Sequence, residues 1–313
     1  MTLPPAFAAG AGAGPAGSPG PEADGVMRVS VVVTTYNRPD ALRAVLRGLA
    51  AQDDPCFEVI VADDGSGPAT ADMLRAFAAE PRAPGLLRVL HAWHPDDGFR
   101  ASAARNMAVA ASVGAYLVFL DGDCVPRPDY VSRHRRLAEP GFMVSGSRVL
   151  LSEALTARVL ADPASPVHRH TLGWWLAQRL RGGTNKVLPL LRMPDGRLRH
   201  YRRVEWRRIK SCNLAVWRGD FEAVDGFDEC FVGWGHEDAD LVLRLARQGV
   251  RRKGGAFATE VFHLWHRENA RGEEPANRRR VEERMVSGRV RAELGLSAHP
   301  VGAERIAAVG GGR

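Results

Sequence analysis

The sequence predicts an α/β protein built on an open, mostly parallel β-sheet with helices on both faces. Three observations lead there. Val29 to Val33, Phe57 to Ala62 and Tyr116 to Leu120 are short continuous apolar runs, as expected of strands buried on both faces. Stretches with helical spacing separate them, as in βαβ units. Each run also stops at a polar cluster: Thr34-Thr35-Tyr36-Asn37, Asp63-Asp64-Gly65-Ser66 and Asp121-Gly122-Asp123. Ligands of open α/β sheets bind at those carboxyl strand ends.

In chain order, residues 1–25 are Ala, Gly and Pro with almost no charge. They lack the basic start and compact apolar core of a signal peptide, and they cannot bury enough surface to offset ordering entropy. A disordered tail is expected. After the first strand, Pro39 opens a helix with Leu42, Val45, Leu46 and Leu49 on one face, proline being suited to a first turn. The second strand leads to a helix across Met73, Leu74 and Phe77 and then a short strand near Leu87 to Leu90. Ala101 to Val113 is Ala-rich and helical, and it precedes the strand Tyr116 to Leu120.

The second half is less regular. Residues 151–205 hold little strand pattern. Ile209 to Trp217 reads as a strand and Asp225-Gly226 as a turn. Glu237 to Gln248 reads as a helix with Leu241, Val242 and Leu245 inward and Gly249 as its C-cap. Phe257 to Phe262 reads as one more strand, leading into His263-Leu264-Trp265-His266. The last dozen residues look loose.

With 313 residues the chain can bury a substantial core. No run reaches the roughly 18 apolar residues of a membrane-spanning helix. The four cysteines, Cys56, Cys124, Cys212 and Cys230, form no CxxC pair, which argues against a zinc knuckle or disulfide framework and fits a reducing cytoplasm. Cys124 and Cys212 read as small packing residues. The net charge is +7, much of it in arginines between Arg192 and Arg208 and from Arg278 to Arg280. Such a surface suits a phosphorylated ligand or an anionic membrane face, or is simply solvated. No nucleic-acid motif accompanies it.

Asp121 and Asp123 are the strongest local feature. Two carboxylates in one crevice repel unless a cation is present, and hard ions such as Mg²⁺ or Mn²⁺ bridge carboxylates to phosphates. Gly122 lets the backbone approach a ligand. The same letters also make an ordinary turn. Asp63 and Asp64 suit a base N–H or ribose hydroxyls, or a plain Asp-Gly turn. Thr34, Tyr36 and Asn37 can face a nucleotide, and Arg100 and Arg105 suit a phosphate or a structural ion pair. Gly233-Trp234-Gly235-His236-Glu237-Asp238 is the second strong feature. Its two carboxylates open a helix, where the macrodipole favours their charged form. Asp238 is then a candidate general base, with Trp234 offering a flat apolar face to a sugar ring. An acidic N-cap beside a core tryptophan is the alternative. His263 and His266, spaced i and i+3, are candidate metal ligands.

Val31-Val32-Val33-Thr34-Thr35-Tyr36-Asn37-Arg38, Val61-Ala62-Asp63-Asp64-Gly65-Ser66 and Asp121-Gly122-Asp123, in that order, resemble family 2 glycosyltransferases of the GT-A fold. Lys210-Ser211-Cys212-Asn213-Leu214-Ala215-Val216-Trp217, then Gly226-Phe227-Asp228 and Gly233 to Asp238, resemble the carboxyl-terminal motif of galactosyltransferases and chondroitin polymerase domains. The resemblance spans roughly residues 28–270. It implies a Rossmann-like GT-A sheet with an irregular acceptor-side region, divided into 26–125 for the nucleotide and 126–270 for acceptor and catalysis. A partly disordered basic extension at 271–313 would follow.

The resemblance further implies that Thr34, Tyr36 and Asp63 hold the base and that Asp121 lies near ribose or metal. Asp123 and His266 would ligate the metal, with His263 a second ligand in some relatives. Glu237 would contact the acceptor, and Asp238 would be the base of an inverting transfer. The stretch from His266 to Asn277 is similar to the flexible loop that closes over donor in galactosyltransferases. The expected activity is metal-dependent hexosyl transfer, with Mn²⁺ or Mg²⁺, from a nucleotide sugar, UDP-linked by resemblance, to a saccharide or lipid-linked acceptor. Polysaccharide or glycoconjugate assembly at the cytoplasmic membrane face would be its setting. Two rivals are a sugar-1-phosphate nucleotidyltransferase, whose Gly-rich basic loop is missing after the first strand, and a non-catalytic polyanion- or membrane-binding protein.

Overall fold

The computed structural model describes residues 26–299 apart from 83, 163–165, 202–203, 207–208 and 268–271, and residues 306–309. The expected tail at 1–25 lies outside the described residues. Strands β1 (Val29–Thr35), β2 (Phe57–Asp63), β3 (Leu86–Trp93) and β4 (Tyr116–Asp121) alternate with helices α1 (Pro39–Ala50), α2 (Pro68–Phe77) and α3 (Ala101–Ala111). These four strands pair in parallel, in the order β3-β2-β1-β4. Their side chains alternate between two cores: Val31 and Val33 pack under α1 and α2, whereas Val32 packs under α3. Glu58 is buried in β2 without penalty because Ser30 Oγ, two backbone N–H groups and Arg88 all donate to it.

After β4 the chain forms β5 (Cys124–Pro126), α4 (Tyr130–Leu137), β6 (Phe142–Ser145) and β7 (Arg148–Leu150). Helices α5 (Glu153–Ala161) and α6 (Leu172–Leu180) follow, with β8 (His200–Tyr201), β9 (Asn213–Trp217) and α7 (Arg218–Ala223). The chain continues through α8 (Glu237–Arg247), β10 (Arg251–Gly254), β11 (Val261–His263), α9 (Glu274–Ser287) and β12 (Ile306–Ala308). The main sheet runs β12-β3-β2-β1-β4-β9-β6-β10-β8, with β9 antiparallel to both neighbours. A small second sheet, β5-β11-β7, lies beside it.

Three sequence expectations need correction, and one unassigned segment gains structure. The strand expected from Ile209 begins only at Asn213. The strand expected from Phe257 begins at Val261, because residues 256–258 turn and Phe257 has φ 61°. Residues 151–205, unreadable as strands, carry α5 and α6, each N-capped by a hydroxyl, Ser152 and Thr171. The loose carboxyl terminus contributes an edge strand, with Ile306–Ala308 antiparallel to β3. Strand β10, Arg-Arg-Lys-Gly, carries no apolar signal. Arg251 stacks over Phe142, Arg252 over Tyr201, and buried Lys253 pairs with Glu139 and Asp195.

The basic surface is also smaller than composition suggests. Arg199 is 2% exposed and donates to the carbonyls of Met193, Pro194, Gly254 and Ala256. Helix α9, in the segment read as an extension, places Val281 in the core. Its Arg284 pairs with Asp228 and, at 2.8 Å, with buried Asp240 of α8; Arg244 holds the same Asp240 at 2.7 Å. This network fixes the α8 N-terminus, where Glu237 and Asp238 sit. Among the described residues no helix is long and apolar enough to cross a membrane.

Candidate active site

Strand register brings the predicted clusters together. Thr34 of β1 pairs with Ala62 of β2 on one side and Asp121 of β4 on the other, and Thr35 pairs with Asp63. Just past β4, the Gly122 N–H donates to the Thr34 carbonyl at 2.7 Å. A Cβ on Gly122 would lie 2.8 Å from that oxygen, so only glycine lets the chain turn back there.

Two centres follow from this turn. The first is built on a guanidinium. Arg105, on α3 and buried, donates to Thr34 Oγ1 at 2.9 Å, to Asp121 at 3.3 Å and to Glu237 at 3.4 Å, and lies over the Phe227 ring. Burial alone works against its charge, but Asp121, Glu237 and Asp238 together hold its pKa above the ordinary value. Burial pushes Asp121 up to about 6, with Arg105 opposing and Asp123 and Asp238 adding to the rise. Burial, then repulsion from Asp238, pushes Glu237 up to about 7. At Glu237 desolvation thus opposes the helix dipole, which favours the charged form. Glu237 Oε2 and Asp238 Oδ1 are buried with no hydrogen-bond partner among the described residues. Both are acceptors left unspent.

The second centre is built on imidazoles. Asp123 lies 3.2 Å from His266 Nε2 and 3.7 Å from His263 Nε2. The His266 Nδ1 is 2.8 Å from the Arg267 carbonyl. That contact favours the proton on Nδ1, which leaves Nε2 as a lone pair facing a carboxylate. Burial lowers the pKa of His263, which favours its neutral form. One ligand atom from each of the three residues lies within 4.8 Å of the others. Two lone pairs and a carboxylate converging in a half-buried pocket fit a divalent cation. Asp121, two residues away, faces Arg105 and is outside that trio.

The remaining predicted residues surround these centres. Asp63 accepts from the Ser66 N–H and contacts His91 at 2.8 Å; Asp64 accepts from the Arg100 N–H and lies 3.2 Å from His94. Half-exposed Tyr36 donates to Asp96 at 2.9 Å, and Asn37, at φ 48°, accepts from the Gly67 N–H. The Arg100 side chain turns outward to Asp97. Trp234 is partly exposed between Gly233 and Gly235, both at positive φ. The sequence reading missed His91, in β3, and His94 and Asp96 just beyond it, although Asp96-Asp97-Gly98 there repeats the acid-glycine pattern of the other strand ends. It also missed Arg148, whose charge reaches Asp121 and Asp123.

A mostly parallel α/β sheet thus brings an acidic strand end, Asp121, and an acidic helix terminus, Glu237, onto one buried guanidinium. The sequence pattern of glycosyl transferase family 2 matches residues 30–204, and that described as the N-terminal domain of galactosyltransferase matches 198–267. The chain belongs to glycosyl transferase family 2.

It is 32% identical over 235 residues to validoxylamine A glucosyltransferase of Streptomyces hygroscopicus subsp. jinggangensis, covering 71% of this chain and 52% of that one. It is 27% identical over 253 residues to chondroitin synthase of Escherichia coli, covering 74% and 34%. The chain thus spans about half or less of these relatives' lengths. In fold it is similar to S. aureus TarS 1-349, with TM-score 0.56 and 16% identity over 87% of this chain and 68% of that one. TarS 1-349 has also been solved in complex with UDP. The mannosyltransferase PcManGT from Pyrobaculum calidifontis, solved with GDP-Man and Mn²⁺, matches with TM-score 0.50 and 17% identity over 86% and 72%.

Proposed function

We propose that this chain is an inverting, metal-dependent glycosyltransferase that moves a sugar from a UDP-linked donor to an acceptor hydroxyl. The observation that carries the reading is the Asp123, His263 and His266 trio, together with buried Asp238 Oδ1, which has no hydrogen-bond partner among the described residues. A divalent ion, Mn²⁺ or Mg²⁺, bound there supplies positive charge for the donor diphosphate. Thr34, Tyr36, Asn37, Asp63 and Asp64 hold the nucleoside side, and the Gly122 backbone leaves room for it. Trp234 walls the sugar pocket, and Glu237 meets the acceptor.

In the transfer, the acceptor oxygen bonds to the anomeric carbon while the bond to the diphosphate breaks. The nucleoside diphosphate leaves with that electron pair, and the acceptor proton passes to Asp238. Arg105 keeps Asp238, Asp121 and Glu237 together in one buried cluster and offsets part of their repulsion. The acceptor is a saccharide or lipid-linked saccharide. The division into a nucleotide half at 26–125 and an acceptor half at 126–270 belongs to the same reading. So does peripheral contact with the inner membrane face, for which exposed Arg278, Arg279 and Arg280 on α9 are the basic cluster.

The test is a panel of nucleotide sugars, UDP-, GDP- and dTDP-linked, read by thermal stabilisation and donor hydrolysis with Mn²⁺ and with chelator. Stabilisation by UDP donors that chelator abolishes is expected. Equal stabilisation with and without metal would count against the metal role, and preference for another nucleotide against UDP.

A further inference from the structure

Strand β11 shows a different side chain on each face of the small sheet. His263 turns toward Asp123, and its neighbour Phe262 stacks on Trp175 on the opposite face, ring centroids 4.2 Å apart and planes at 7°. Behind Phe262 lies a cavity of about 400 Å³, lined by Arg127, Asp129, His168, Arg169, Trp175 and Arg192 among others. That volume is within the roughly 300–1,000 Å³ of small-molecule sites. We propose that this cavity is a second ligand site, for a sugar ring bearing a carboxylate or phosphate group.

His168 is the first reason. It is 7% exposed, yet among the described residues neither ring nitrogen has a hydrogen-bond partner. A buried polar ring left unsatisfied costs stability unless a ligand completes it. Burial, with Arg169 and His170 adding, lowers its pKa to about 4, so it offers one N–H and one lone pair. Sugar hydroxyls and oxyanions can use both.

Charge is the second reason. Asp129 is already held by Arg133 and Arg192, and among the described residues the other carboxylate near Arg192, Glu260, lies 3.9 Å away. Arg127 donates to the Leu190 carbonyl, and among the described residues neither it nor Arg169 has an ion-pair partner. Two guanidinium groups beside buried imidazole suit an oxyanion. The lining also includes Trp175, Phe262, Leu172 and Leu190, apolar groups that suit the C–H face of a sugar ring. The cavity is independent of the transfer reading, although its Arg127 lies four residues beyond Asp123 and its Phe262 adjoins His263.

The experiment is calorimetry and thermal shift with D-glucuronate, D-glucose 6-phosphate, inorganic phosphate and neutral D-glucose, on the parent chain, His168→Phe and Arg169→Ala. Either anionic sugar should bind and raise the Tm, the better one identifying the anion, and glucose should do neither. His168→Phe should fold with a Tm at or above the parent's, since it removes two unpartnered nitrogens, yet lose affinity by about tenfold or more; exposed Arg169→Ala should lose affinity likewise. Unchanged affinity in both variants, or no binding of either anionic sugar, overturns the site. Phosphate alone binding as well as glucose 6-phosphate, or glucose binding as well as glucuronate, overturns the assigned ligand class.

Discussion

Asp121 and Asp123 stand two residues apart, yet they meet opposite environments. Asp121 faces a permanent cation supplied by the chain, the Arg105 guanidinium. Asp123 faces two imidazoles, which offer lone pairs. The first centre carries its own countercharge; the second requires one from outside. This difference separates a preorganised acid cluster from a site that waits for a metal ion, and it comes from one glycine that turns the chain between them.

The largest expected effect tests the acid cluster as chemistry. Asp238→Asn should lower turnover by about 10²–10⁴-fold, the usual contribution of a general base, with donor affinity little changed. Turnover near the parent's in a single-turnover assay would remove Asp238 from that role. At the imidazole centre, Asp123→Ala should abolish Mn²⁺-dependent donor binding in calorimetry while the fold persists; an unchanged affinity with Mn²⁺ would dissolve the contrast between the two acids.

Arg105→Gln tests the chain's own countercharge. It strands Asp121 and Glu237 in a buried crevice and should cost about 3–5 kcal/mol in denaturant unfolding, as removal of one partner of a buried pair does. A loss below about 1 kcal/mol would mean the cluster is solvated like a surface pair.

The smallest effect is a pH slope. Glu237 is raised from 4.5 to about 7 and Asp121 from 3.8 to about 6. Both bind protons more tightly folded than unfolded. Their contribution is therefore fully present below about pH 4 and is lost as pH rises through 6 to 7. Unfolding of the metal-free chain should show this decline, and Glu237→Gln should flatten its upper part. An identical slope in the variant would place the titration elsewhere.

Strands β1, β2 and β4 were legible because strands buried on both faces read as unbroken apolar runs, and the ends of β2 and β4 announced themselves in acid and glycine. Asp121 and Asp123 were legible for the same reason, and Glu237 and Asp238 as acids that open an amphipathic helix after Gly235. Strand β10 was not, since its arginines meet rings, and its lysine meets acids, that are distant in sequence. Helix α9 has weak amphipathicity and reads as a charged tail, but Arg284 anchors it through Asp228 and Asp240. Nor did spacing reveal His91 and His94 as the partners of Asp63 and Asp64.

Local sequence by itself determined the α/β class, the parallel strands and the residues able to carry charge at their ends, because each depends on hydrophobic period and turn chemistry within a few residues. Tertiary structure alone decided which charge meets which partner. Arg105 could have served a phosphate or an ion pair by sequence; the fold sets it between Asp121 and Glu237 and leaves Asp123 to the histidines. Coulomb and desolvation energies depend on distance and burial, and those exist only once the sheet has closed.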